Sequence, residues 1–287
     1  MAMRNSITAA FQGEPGAYSE AAVLEHFGPQ AAPLPCASFV EAFAAVENGT
    51  AAVGMIPIEN SLAGSIHQNY DLLLQHKLVI TGEHYLRVRH CLISNPGVRM
   101  EDLRRVISHP QALAQCDGYL RRMELPGEIF YDTAGSVKHL KETGARDTAG
   151  IASRRAAEVY AMQILAEGIE DNPANFTRFL VIAPSVEAQP EPGTASKTSI
   201  VFSLANQPGA LFKALSVFAL RDIDLTKIES RPLVGQPWEY LFYIDFAGAT
   251  TETRVTRALS HLEEIAAWLR VLGSYPRHIS EADAGQG

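Results

Sequence analysis

Short apolar runs alternate with longer amphipathic stretches from residue 6 to residue 183, and the alternation predicts strands and helices in turn. Ile7–Phe11 reads as a strand, followed by the turn Gly13-Glu14-Pro15-Gly16 and a helix through Ala21–Phe27. Ser38 opens a second helix with Glu41 three residues later, the pattern of a capping box, and Gly49 closes it. Ala52–Ile58 is an apolar run short enough for a buried strand, and Ile66–Gln75 places Ile66, Tyr70 and Leu73 on one helix face. Leu78–Ser94 holds strand-like segments. Then follow strand Val106–Ser108, helix Ala112–Met123, strand Glu128–Tyr131, helix Ser136–Glu142, strand Ala149–Ala152 and helix Arg154–Ala161. Such alternation predicts mostly parallel sheets covered by helices, which bind ligands beyond the carboxyl ends of their strands.

The rhythm changes after Ala183. From Pro184 to Gly193 there are three prolines, no large aliphatic after Val186 and no periodicity, which marks a linker. Beyond it the pattern predicts strand Thr198–Leu204, helix Ala210–Leu220, strands Ile223–Ser230 and Tyr240–Phe246, helix Thr253–Leu269 and a last short strand Val271–Ser274. That order, β-α-β-β-α-β, is the α+β ferredoxin-like arrangement. The residues from Ser280 onward are small and polar and are expected to fray.

Composition narrows the class. The chain of 287 residues is long enough for about two domains, and its 47% hydrophobic and 20% charged content is that of a globular protein. A net charge of −8 with no basic run argues against binding a phosphate backbone. The three cysteines, Cys36, Cys91 and Cys116, have no paired spacing, which predicts reduced thiols and a cytoplasmic setting. No secretory signal is visible, and no stretch approaches the roughly 20 apolar residues that cross a bilayer. The nine histidines are scattered without ligand spacing, so no metal is expected, although His84 and His90 can share a strand face. The glycines of Gly13–Gly16 lack the spacing of a dinucleotide loop and no G-x-S-x-G elbow occurs, so neither a nucleotide cofactor nor the common hydrolase chemistry is expected.

Several constellations carry candidate chemistry. In Asn175-Phe176-Thr177-Arg178-Phe179 a hydroxyl sits beside a permanent cation between two aromatic rings. Thr177 offers a neutral hydrogen-bond donor, Arg178 a fork for a carboxylate, and Phe176 and Phe179 walls for an apolar ring. The same residues also suit an ordinary half-buried strand. Glu59-Asn60-Ser61 follows a strand directly, with Gly64 three residues on; these residues either meet a ligand or cap the next helix. Ser108-His109-Pro110-Gln111 ends a strand and starts a helix, and Gln115 shares a face with Gln111. His109 is there either as an acid–base group or as part of the helix start. In the second half, Gly209-Ala210-Leu211 opens a helix and Glu229-Ser230-Arg231-Pro232 ends a strand; this is either an amino-acid site or a tight turn with a terminated edge strand.

In order, the motifs Gly13-x-Pro15-Gly16-x-Tyr18-Ser19, Pro57-Ile58-Glu59-Asn60-Ser61, Ser108-His109-Pro110-Gln111-Ala112, Asn175-x-Thr177-Arg178-Phe179, Gly209-Ala210-Leu211 and Glu229-Ser230-Arg231-Pro232 resemble those of the prephenate dehydratase family, from about residue 6 to 275. The resemblance implies an α/β catalytic part of two lobes like a type II periplasmic binding protein, at 1–184, a linker at 185–196, an ACT regulatory domain at 197–275 and a tail at 276–287. It implies a carbon–oxygen lyase without a cofactor that converts prephenate to phenylpyruvate with loss of carbon dioxide and water. Thr177 would then hydrogen-bond the departing oxygen and Arg178 would hold a carboxylate. Asn60, Ser61, Ser108, Gln111, Gln115 and Phe179 would position the ring and its polar groups. Glu59 would orient other side chains, and His109 is a secondary acid candidate. Gly209, Ala210, Leu211, Glu229, Ser230 and Arg231 match the family's phenylalanine-binding motifs, which predicts feedback control and a homodimer or homotetramer. Many relatives carry an N-terminal chorismate mutase helix bundle, and with no length left for one here the resemblance implies a monofunctional enzyme as the expectation. Two alternatives stay open on the motifs, an arogenate dehydratase and a non-catalytic amino-acid sensor.

Overall fold

In the computed structural model, residues 6–185, 190, 194–233 and 239–278 are described; the expected linker and tail lie largely outside them. The first lobe is built from β1 (Thr8–Gln12), α1 (Tyr18–Phe27), β2 (Ala32–Cys36), α2 (Phe39–Glu47), β3 (Val53–Asn60), the two-residue β4 (Gly64–Ser65), α3 (His67–Gln75) and β5 (Val79–Arg87). Its sheet runs β2-β1-β3-β11-β5, where β11 (Phe176–Ala183) returns late in the chain. β1 pairs in parallel with both β2 and β3. The apolar run in β3 is buried from Gly54 to Ile58, as its composition requires. β2 was not expected, because Pro33 and Pro35 argue against a strand; it forms at the sheet edge, where missing N–H donors cost least. Ser38 caps α2 by accepting from the Glu41 amide at 3.2 Å, but the Glu41 carboxylate takes the Ala37 amide, one residue before the position a capping box uses.

The second lobe comprises β6 (Cys91–Ser94), β7 (Arg105–Ser108), α4 (Pro110–Gln115), α5 (Asp117–Arg122), β8 (Gly127–Ile129), α6 (Thr133–Thr143), β9 (Thr148–Ala152), α7 (Arg154–Tyr160) and β10 (Gln163–Glu167), in the sheet order β10-β6-β9-β7-β8. β7 is parallel to β8 and β9, but β6 is antiparallel to β9 and β10, which departs from the expected parallel pattern. The chain enters the lobe along β6 and leaves along β10, with Cys91 opposite Glu167, so those two strands must run in opposite senses. The single helix expected over Ala112–Met123 breaks at Cys116. The cause is Asp171: its amide donates to the Gln115 carbonyl at 2.8 Å, and its carboxylate accepts from the Gly118 amide at 2.8 Å. The carbonyl that would continue the helix is thereby taken.

Two compact units divide the chain. One runs up to His76 and over His84–Leu180; the other holds Lys77–Glu83 and the chain from Val181. The second unit contains β12 (Ser196–Ser203), α8 (Ala210–Ala219), β13 (Leu225–Pro232), β14 (Tyr240–Ala247), α9 (Thr253–Ile265) and β15 (Trp268–Pro276), with antiparallel strands in the order β13-β14-β12-β15. Ile200, Phe202, Phe218, Ile244, Phe246 and Leu262 form its core beneath the two helices. The helix expected to reach Leu269 stops at Ile265, because Trp268 onward pairs with the whole of β12. On the strand side of β12, Lys197 forms an ion pair with Glu83 at 2.9 Å, both nearly fully buried. Gly273 lies so close to Ile80 that a Cβ there would sit 2.0 Å from its carbonyl oxygen.

Candidate active site

Strand β11 has a two-residue pleat, so neighbouring side chains point to opposite faces. Thr177 and Phe179 line a cavity of about 180 Å³ between the two lobes, together with Tyr18, Ser19, Asn60, Val88, His90, His109, Gln111, Gln115 and Thr133. Pro57, Ile66 and Ala112 complete the lining. Arg178, between Thr177 and Phe179, is 5% exposed and absent from that lining; its guanidinium carbon lies 6.0 Å from the centre of the Tyr85 ring. The expected crevice shared by this hydroxyl and this guanidinium therefore does not form, for the plain reason that adjacent strand residues cannot face the same way. Phe176 is likewise an outer residue, 39% exposed, rather than a wall of the cavity.

Thr177 is held in a directional network. The Asn60 Oδ1 accepts from the backbone amides of Leu62 and Ala63 at 3.1 and 3.0 Å, which fixes which end of the amide is which. Its Nδ2 therefore faces the other way and donates to Asn175 Oδ1 at 2.8 Å, the Phe176 carbonyl at 3.2 Å and Thr177 Oγ1 at 3.1 Å. Because Thr177 Oγ1 accepts from Asn60, its own proton is left to donate into the cavity.

Among the other expected site residues the structure divides sharply. Gln111, Gln115 and His109 reach the cavity from the second lobe. Ser108 is fully buried and donates to the Ile151 carbonyl at 2.6 Å, so it pins β7 to β9 instead of facing a ligand. Ser61 donates to the Ala174 carbonyl at 2.8 Å and accepts from the Phe176 amide at 3.0 Å, clamping the returning chain. Glu59 is not part of the lining. Gly64 has a positive φ of 83° in the β3–β4 turn and no neighbour near its missing side chain, so it serves the turn. His109 Nδ1 accepts from the Gln111 amide at 3.2 Å, which leaves Nε2 as the ring's donor in its neutral form.

Tyr18, Ser19, His90 and Thr133 also line the cavity, although no local spacing marks them as ligand-facing. Tyr18 and Ser19 were visible only as part of a motif. His90 and His84 do not share a strand: β5 ends at Arg87, and His84 lies beside Glu25 and His26. His90 links Tyr18 OH, 2.7 Å from Nδ1, to Gln115 Oε1, 2.8 Å from Nε2. Burial lowers the His90 pKa against the opposing pull of Gln115 and Glu170, so the ring is neutral. With Nε2–H donating to Gln115, Nδ1 is the acceptor that faces the Tyr18 hydroxyl, which also lies 3.1 Å from a second acceptor, the Arg89 carbonyl. Burial also raises the Tyr18 pKa well above its ordinary value, helped by Cys91, Cys116 and Glu170, and keeps the phenol protonated. None of the lining residues is Asp, Glu, Lys or Arg; the cavity is built from neutral donors and acceptors, with the two histidines. Among the described residues no group of three or more His, Cys, Asp or Glu is placed to hold a metal ion.

The family model described as prephenate dehydratase matches residues 9–187, and that of the ACT domain matches residues 198–264. The chain belongs to the prephenate dehydratase family. It is 51% identical over 283 residues to arogenate dehydratase/prephenate dehydratase 2, chloroplastic, of Arabidopsis thaliana, across 94% of this chain and 73% of that one. Among solved structures, a prephenate dehydratase from Arthrobacter aurescens in complex with L-Phe is 34% identical, with a TM-score of 0.86 over 96% of this chain and 94% of that one. A chain described as GqqA, a novel type of quorum quenching acylases, is 38% identical, with a TM-score of 0.89 over 94% and 98%. The family makes this chain a dehydratase, a carbon–oxygen lyase, with an ACT domain.

Within the ACT unit, Gly209 caps α8 at a positive φ of 77°, followed by Ala210 and Leu211. Glu229, Ser230 and Arg231 lie on β13, an edge strand whose side chains alternate in exposure; Ser230 faces outward and Glu229 and Arg231 lie on the more buried side. The intervening segment 234–238 is outside the described residues.

Proposed function

We propose that this chain is a prephenate dehydratase of phenylalanine biosynthesis, acting on prephenate in the cavity around Thr177 and regulated by phenylalanine at its ACT domain. The observation that carries the reading is the Asn60–Thr177 hydrogen bond, which turns the threonine hydroxyl into a donor directed at bound substrate. In the reaction the bond between the ring and its carboxylate breaks, and the electron pair enters the ring. The carboxylate leaves as carbon dioxide, the ring C–O bond breaks, the departing hydroxide takes a proton from solvent to become water, and an aromatic ring remains. Negative charge grows on the departing oxygen, where a fixed donor is worth about 3–4 kcal/mol. Gln111, Gln115 and His109 would supply the donors for the carboxylates, the part the sequence assigned to Arg178. Phe179, Ile66 and Val88 would enclose the ring.

Relatives named as arogenate dehydratases support arogenate as the competing substrate. Arogenate carries an ammonium where prephenate has a keto group, and no lining residue is a carboxylate that would pair with it. That chemistry favours prephenate. Thr177 is not arranged as an acylase nucleophile, because its Oγ1 accepts from the amide of Asn60, which is not a general base. Comparison of kcat/KM for prephenate and arogenate tests the assignment: prephenate should be preferred, and a preference for arogenate would overturn it. The three free cysteines accord with a cytoplasmic setting. Phe212 and Leu220, exposed on and just after α8, accord with a homo-oligomer assembled through the ACT unit.

A further inference from the structure

We infer that Asn175 is a positioning residue for the dehydration step, acting through Asn60 on the hydroxyl of Thr177. This deepens the proposed function and rests on it. Asn175 is fully buried in the segment that returns from the second lobe, and it is not part of the cavity lining. Its carbonyl accepts from the Val88 amide at 2.8 Å, so its backbone is tied to the outgoing segment that carries Val88 and His90 into the cavity. Its Oδ1 takes one proton of the Asn60 amide at 2.8 Å, the shortest of that amide's three contacts.

An amide NH2 has two protons, and Asn60 Nδ2 meets three acceptors. With one proton committed to Asn175, the other falls between the Phe176 carbonyl and Thr177 Oγ1. Asn175 thus fixes the plane of the amide that dictates where the threonine proton points. The orientation of Asn175 is itself determined: Oδ1 must face Asn60 Nδ2, whose identity is set by the Leu62 and Ala63 amides. Asn175 Nδ2 is consequently buried with no hydrogen-bond partner. A side chain present only to stabilise the fold would gain from an apolar replacement of similar size, since an unpaired buried donor is unfavourable. Its acceptor, and not its donor, is what the site uses.

The test is a double-mutant cycle on prephenate turnover with Asn175→Leu and Thr177→Val, and Asn175→Ala as a second form. Asn175→Leu should lower kcat about tenfold or more, leave KM within about twofold and leave the melting temperature unchanged or higher. In the Thr177→Val background the same change should lower kcat less than about twofold, because the hydroxyl it positions is gone. An unchanged kcat, an equal loss in both backgrounds, or failure of both Asn175 variants to fold would overturn the inference. A Thr177→Val enzyme as active as the parent would instead remove the proposed function on which the inference rests.

Discussion

Arg178 shows how far residue types carry without geometry. Its pairing with Thr177 looked like a carboxylate clamp in sequence, yet the strand pleat sends it away from the cavity and over Tyr85. Arg178→Lys should therefore leave KM for prephenate within about twofold and act on stability, since a lysine does not reproduce the shape and donor set of the buried guanidinium near Tyr85. A KM raised tenfold or more would return Arg178 to the substrate. His90 is the opposite case, a cavity residue that no local spacing announced, because its partners Tyr18 and Gln115 come from distant parts of the chain. Its folded pKa lies below the unfolded value near 6.5, so the unfolded state binds the extra proton first. Stability from this residue is present above that pH and is lost as pH falls through the folded pKa. Denaturant melts on the acid side of pH 6.5 should show stability falling with pH, and His90→Asn should flatten that slope; an identical slope in the variant would contradict the assignment.

At the level of elements, most helices and strands were legible because their apolar positions follow one period each. The failures have local causes: prolines hid an edge strand in β2, the Asp171 bonds split α4 from α5, and pairing with β12 shortened α9. The last two depend on contacts from other segments and not on the sequence of the element itself. Two element-scale changes follow from close contacts. Gly16 holds a positive φ of 90° beside α7, and a Cβ there would lie 2.6 Å from the Cα of Ala156. The Ser153 hydroxyl also donates to the Gly16 carbonyl at 2.6 Å, joining the loop before α1 to the start of α7. Gly16→Ala should destabilise the protein by about 1–3 kcal/mol by chemical denaturation and disturb the approach of the two lobes; a change below about 0.5 kcal/mol would show that the loop yields. The second contact is the Lys197–Glu83 pair, 6% and 0% exposed at the side chain. Glu83→Gln should cost about 3–5 kcal/mol by leaving a buried ammonium uncompensated, and a loss under about 1 kcal/mol would mean that water reaches it.

For the whole molecule, the sequence motifs in their order pointed to a dehydratase joined to an ACT domain, and the family models match the chain in that same order. What the order could not convey is which motif residues converge. Thr177, Asn60, Gln111, Gln115 and Phe179 do, while Ser61 and Ser108 hold backbone in place. Regulation by phenylalanine requires that effector and substrate binding be thermodynamically linked. Phenylalanine titrated into the turnover assay should change activity, and a Ser230→Trp chain, altered on the exposed side of β13, should respond less. No response in the parent at saturating phenylalanine would leave the ACT unit without this role. The most direct test of the account is kcat with prephenate for Thr177→Val beside Thr177→Ser. If the oriented hydroxyl stabilises the departing oxygen, valine should lower kcat by about 10²–10³ with little change in KM, and serine should recover most of the loss. A valine enzyme that keeps the parent's kcat would contradict it.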